Sequence, residues 1–115
     1  MTNPKFWIAL DSLLSQHKII IDRPKGTPHP KVSLIYPVDY GYFDGTNSVD
    51  GEGIDVFVGS GERIIDAVIV TVDTVKKDSE IKILLGCNEE EKRTVERIYS
   101  EFYGSLQGIL IRRTI

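Results

Sequence analysis

The chain has 115 residues, 41% of them hydrophobic and 27% charged, with a formal net charge of −3. That length suits one domain, residues 1–115, built on a single core. The acidic balance argues against a general nucleic-acid binder, which needs a basic face to collect phosphates, and no apolar stretch is long enough to cross a bilayer. A lone cysteine, Cys87, has no partner for an internal disulfide, and no secretory signal is read at the N-terminus. Both features point to a reducing cytoplasm. Beside Gly86 in an apolar run, Cys87 reads as a small buried residue.

Asn3 followed by Pro4 reads as an N-cap and first helical position, and Phe6, Trp7, Leu10, Leu13 and Leu14 recur at helical spacing, so a short amphipathic helix is expected to end near His17. Lys18 to Ile21 is β-branched and strand-like. Asp22 to Lys31 carries three prolines and a glycine and reads as a loop. Ile54 to Val58 predicts a compact apolar strand, and Ile64 to Val75 a longer one whose late positions alternate, with Thr71 and Asp73 on one face. A turn at Lys77 to Ser79 returns the chain into Glu80 to Leu85, where Glu80, Lys82 and Leu84 share a face opposite Ile81, Ile83 and Leu85. Asn88 opens a second helix, with Glu91 in capping-box position. Its apolar stripe is Val95, Ile98, Tyr99, Phe102, Tyr103 and Leu106. Gly104 to Gly108 then leads into a last strand, Ile109 to Arg112. Helix, strands, helix, strand in this order predicts a mainly β (α+β) fold: a small, five-stranded OB-like barrel with an N-terminal and a C-terminal helix packed outside.

The chemistry concentrates at Asp50-Gly-Glu-Gly-Ile-Asp55, three carboxylates within six residues, shortly after the Tyr/Gly-rich run Tyr36 to Phe43. Carboxylate oxygens suit hard divalent cations, and two glycines let the backbone turn so that all three acids face one point. Asp44, Thr46, Ser48, Asp50, Glu52 and Asp55 also fall at the ligand positions of a twelve-residue calcium loop. Such a loop needs glycine at its sixth position and flanking helices, whereas Val49 stands there and a strand follows. The glycine pairs 51/53 and 59/61 open no helix after a strand, so they make no phosphate-binding loop. Tyr99 reads as packing. His17 and His29 have no second histidine at ligand spacing and read as surface residues.

Taken together, IDRPKG (Ile21 to Gly26), YPVDYGYF (Tyr36 to Phe43), DGEGIDVFV (Asp50 to Val58), EIK (Glu80 to Lys82) and a last helix containing Tyr103 resemble the soluble, metal-dependent family I inorganic pyrophosphatases over most of the chain. The resemblance implies a five-stranded barrel and Mg²⁺-dependent hydrolysis of diphosphate by metal-activated water, with Mn²⁺ as a possible substitute. It implies Glu52, Tyr40 and Asp55 as catalytic residues, Lys31, Tyr36, Lys82 and Tyr103 as phosphate partners, and Asp50, Asp55, Glu80 and Asp22 as metal ligands. The expected partner is a small molecule, diphosphate, with neither nucleic acid nor membrane, and homo-oligomers are common among bacterial relatives.

The chain also departs from the family pattern. Only Val32 to Ile35 lie where relatives usually carry a hairpin with a glutamate and an arginine, Glu52 and Gly53 stand where the motif has aspartate and proline, and Gly104 takes the place of a lysine. Arg23 and Lys25 are the nearby cations. These departures keep two alternatives open: a metal- and phosphate-binding module without turnover, and a hydrolase of another phosphoanhydride.

Overall fold

The computed structural model describes residues 3–30, 33–48, 51–102 and 104–114, with Phe102 described by its backbone alone. Helix α1 spans Pro4–Gln16; Asn3 caps it, its side chain accepting the Phe6 N–H. Strands β1 (Ile19–Arg23), β2 (Asp39–Phe43), β3 (Ile54–Val58), β4 (Ile65–Asp73) and β5 (Asp78–Leu85) precede helix α2 (Glu89–Arg97), and β6 (Leu106–Arg112) closes the order. The fold is mainly β with two helices, as the sequence predicts, but the sheet has six strands and runs open in the order β1-β2-β3-β5-β4-β6. The expected count of five strands becomes six, and the open sheet remains compatible with an OB-like, mostly-β fold.

The sixth strand is β2, in the segment read only as a motif. Asp39 and Gly41 are poor strand formers and mask its alternation. Side chains alternate across the sheet and divide the core in two. On one face, Phe43, Val56, Ile65, Val68, Ile83 and Leu85 pack under Trp7 and Leu10 of α1. On the other, Phe57, Ala67, Ile69 and Leu84 meet Val95, Ile98 and Tyr99 from the α2 region, with Leu34, Tyr36 and Val38. The helices therefore cover opposite faces, and the α2 face carries the site.

Two boundaries differ from expectation for identifiable reasons. Helix α2 opens on a capping box, Asn88 Oδ1 accepting the Glu91 N–H at 2.8 Å and Glu91 Oε1 accepting the Asn88 N–H at 2.9 Å. Its α-helical hydrogen bonding ends at Arg97, and Ile98–Phe102 form a π-helical turn. Leu106, assigned to the helical stripe by spacing, instead pairs with Asp73 at the start of β6. Ion pairs add to the packing: Arg113 donates to both Asp11 oxygens at 3.1 Å, tying the C-terminal segment to α1, and Lys92 donates to Asp66 on β4 at 2.8 Å and to Glu89 within α2 at 3.1 Å.

Cys87 is buried, and burial, with Glu91 nearby, pushes its thiol up to about 12. Maleimide labelling at about pH 8 is expected to fail on the folded protein and to go to completion in denaturant. Rapid labelling without denaturant would contradict that burial.

Candidate functional site

Pairing register sets which side chains share the α2 face. Tyr40 faces Phe57 and Tyr42 faces Asp55 across β2 and β3, while Thr71 faces Glu80 and Ile69 faces Lys82 across β4 and β5. Since residues on one strand return to a face every second position, Tyr40, Tyr42, Asp55, Thr71, Asp73, Glu80 and Lys82 all point the same way. They line a cavity of about 800 Å³. β1 joins through an irregularity: its register with β2 shifts between Ile21 and Arg23, bringing Arg23 opposite Tyr40. That bulge lets neighbouring Asp22 and Arg23 both line the cavity, where a regular strand would send one of them away.

At the centre, Lys82 Nζ donates to Asp55 Oδ2 at 2.7 Å and to Tyr40 Oη at 3.3 Å, with Glu80 Oε2 at 3.8 Å. The Lys82 side chain is only 10% exposed, so this is a partly dehydrated ion pair rather than a solvated strand lysine. Burial opposes its charge, but the Tyr99 oxygen, the Asp55 carboxylate and Glu80 outweigh it and hold the ammonium above its ordinary range. Burial and the adjacent Asp55 carboxylate likewise raise the Tyr40 phenol, keeping it protonated as a hydrogen-bond donor. Tyr36 is buried and stacks on Tyr40 with centroids 5.2 Å apart; Arg23 Nη1 donates to Tyr36 Oη at 2.8 Å.

The sequence-predicted residues distribute as follows. Asp22, Tyr36, Tyr40, Glu52, Asp55, Glu80 and Lys82 all line the cavity. Asp50, Lys31 and Tyr103 lie outside the described residues. Gly51 and Gly53 adopt φ of 80° and 104°, the left-handed conformations that the acidic turn needs and that glycine supplies without strain. Two residues read otherwise from sequence also belong here. His29, taken as a surface residue, stacks on Tyr36 at 5.9 Å and lines the cavity, and Tyr99, taken as packing, is buried yet also borders it. Arg23 was legible only as a nearby charge. Its extended β1 position was hidden because Asp22 and Pro24 mark the segment as loop.

Asp73 makes a clearer structural contribution. Its Oδ1 accepts the Val75 and Lys76 N–H groups at 2.9 and 3.0 Å, fixing the β4–β5 turn, and these hydrogen bonds, that from Lys76 foremost, hold its carboxyl below the ordinary range.

For a hard divalent cation the donor chemistry is right. Asp22, Glu52, Asp55, Asp73, Asp78 and Glu80 bring six carboxylates to one cavity. Among the described residues, however, no three acidic, histidine or cysteine side chains converge as a ready-made cage, and Lys82 is shared by Asp55 and Glu80. The donor set thus suits a hard divalent cation in kind, with Asp55 and Glu80 on the sheet and Asp22 on the bulge.

A mainly β sheet thus presents carboxylates, tyrosines and a largely buried lysine to one cavity. The model of the inorganic pyrophosphatase family matches residues 18–109, and the chain belongs to that family. No curated protein matches it.

Proposed function

We propose that this chain is a cytoplasmic inorganic diphosphatase that hydrolyses diphosphate to two phosphates with Mg²⁺, or Mn²⁺ in its place. The observation that carries the reading is the Asp55–Lys82–Tyr40 cluster, held together at 2.7 and 3.3 Å in an acid-lined cavity. Family membership supports the same substrate class. When bound, Mg²⁺ supplies Lewis acidity and neutralises phosphate charge. Asp55, Glu80 and Asp22, with Asp50 from the same acidic motif, are the residues that would hold it.

The remaining work falls to this chain's own side chains. Lys82 and the protonated Tyr40 orient one phosphoryl group, and Tyr36 contacts the substrate from the neighbouring position in the stack. Glu52 accepts the proton of the attacking water as the water oxygen bonds to one phosphorus. The bridging P–O bond breaks, and the second phosphate leaves with its electron pair. Lys31 and Tyr103 are proposed as further phosphate partners on the strength of the sequence motif.

Residues 1–115 are proposed to form one pyrophosphatase-like domain, and a Cα radius of gyration of 13.5 Å supports that reading. Among the described residues no helix is long and apolar enough to span a membrane. A homo-oligomer is proposed, supported by Val72, Ile109 and Ile111, which stand exposed on the sheet face opposite the site.

Lys82→Met tests the assignment. Removing the ammonium leaves Asp55 without its closest cation, and kcat/KM for diphosphate is expected to fall by about 100-fold or more. Wild-type kinetics in a folded Lys82→Met variant would sink this arrangement. One observation favours a second reading, a binding module without turnover: Lys82 already engages the aspartate that metal would need. Saturable, Mg²⁺-linked diphosphate binding without phosphate release would select it.

A further inference from the structure

We propose that Arg23 is a substrate-binding residue of this site, holding the phosphoryl group distal to Lys82. The inference rests on the diphosphate reading above. Three observations carry it. First, the β1 bulge turns Arg23 toward the cavity opposite Tyr40, a position that regular alternation would not give both it and Asp22. Second, Arg23 Nη1 donates to Tyr36 Oη at 2.8 Å, and the guanidinium carbon lies 5.8 Å from the Tyr36 ring centroid. Third, Tyr36 stacks on Tyr40, whose hydroxyl is bonded to Lys82.

The result is two cation–phenol pairs side by side, Arg23 with Tyr36 and Lys82 with Tyr40, across a ring separation of 5.2 Å. Diphosphate has two phosphoryl groups to match them. Lys82 alone serves the substrate poorly, because its closest partner is the Asp55 carboxylate at 2.7 Å. A guanidinium offers five N–H donors in a planar fork suited to phosphate oxygens, and the Tyr36 bond orients that fork while using one of them. His29 stacks on Tyr36 at 5.9 Å and an interplanar angle of 20°, bracing the phenol that aims Arg23. Arg23 is half-buried on an edge strand, so the distal phosphoryl group meets it without crossing the Lys82 cluster.

The test is calorimetric titration of diphosphate, with Mg²⁺ present, into the full chain and into Arg23→Gln and Arg23→Lys, with phosphate release and thermal midpoints measured in parallel. Arg23→Gln is expected to weaken diphosphate affinity and raise KM by about tenfold or more, and Arg23→Lys, which keeps the charge but loses the fork, to fall between it and wild type. Unchanged affinity in a folded Arg23→Gln overturns the inference and leaves the diphosphate reading standing. If Arg23→Gln does not fold, Arg23→Lys decides: weakened binding upholds the inference and wild-type binding overturns it. A wild-type protein that neither binds nor hydrolyses diphosphate overturns both.

Discussion

Asp55→Asn is expected to fold and bind metal more weakly, while diphosphate hydrolysis drops by about 100-fold or more. Asp55 lies on β3 between Ile54 and Val56, opposite Tyr42, so the strand fixes its direction. The substitution is nearly isosteric but removes the charge that draws Lys82 to 2.7 Å and that would hold a hard cation. Lys82 retains Tyr40 and the Glu80 carboxylate at 3.8 Å, which limits the cost to stability. Comparing phosphate release, metal affinity and urea unfolding of the two proteins separates these effects. Full turnover in the variant would show that another group holds the cation.

Gly41→Ala is expected to break the β1–β2 contact. A Cβ on Gly41 would overlap the Ile20 carbonyl oxygen and lie 2.9 Å from Ile21 Cα. Both atoms belong to the backbone, so no side-chain rotation relieves the overlap. The strand must move. Since Ile21 faces Gly41 and Arg23 faces Tyr40 in the same ladder, moving β1 also withdraws Asp22 and Arg23 from the cavity. The expected destabilisation is about 3 kcal/mol, the upper end for overpacking, with loss of activity even where folded protein remains. A urea midpoint equal to wild type would contradict the close approach of the two strands.

How much of this was legible in the sequence varies with the physics of each segment. The α1 cap, the α2 capping box and the faces of β5 were readable because each depends on local spacing: Asn3 before Pro4, Asn88 three before Glu91, and Glu80 two before Lys82. The acidic and tyrosine motifs carried the family and placed Tyr36, Tyr40, Glu52 and Asp55 at the cavity. What remained hidden depends on pairing between distant strands. The β1 bulge is a register shift against β2, and Arg23 faces the cavity only through it. His29 was misread because its partner, Tyr36, joins it through a stack that sequence spacing does not encode. The end of α2 failed for a similar reason. Leu106 fits the helical stripe by period, but its pairing with Asp73 places it on β6.

The deciding measurement is phosphate release from diphosphate by the purified chain, titrated with Mg²⁺ and with a chelator, and with Asp55→Asn assayed beside it to exclude a contaminating enzyme. Release is expected to rise with Mg²⁺, stop with the chelator and be lost in Asp55→Asn. Absence of release from a folded protein at saturating Mg²⁺, or equal release from the variant, would contradict it.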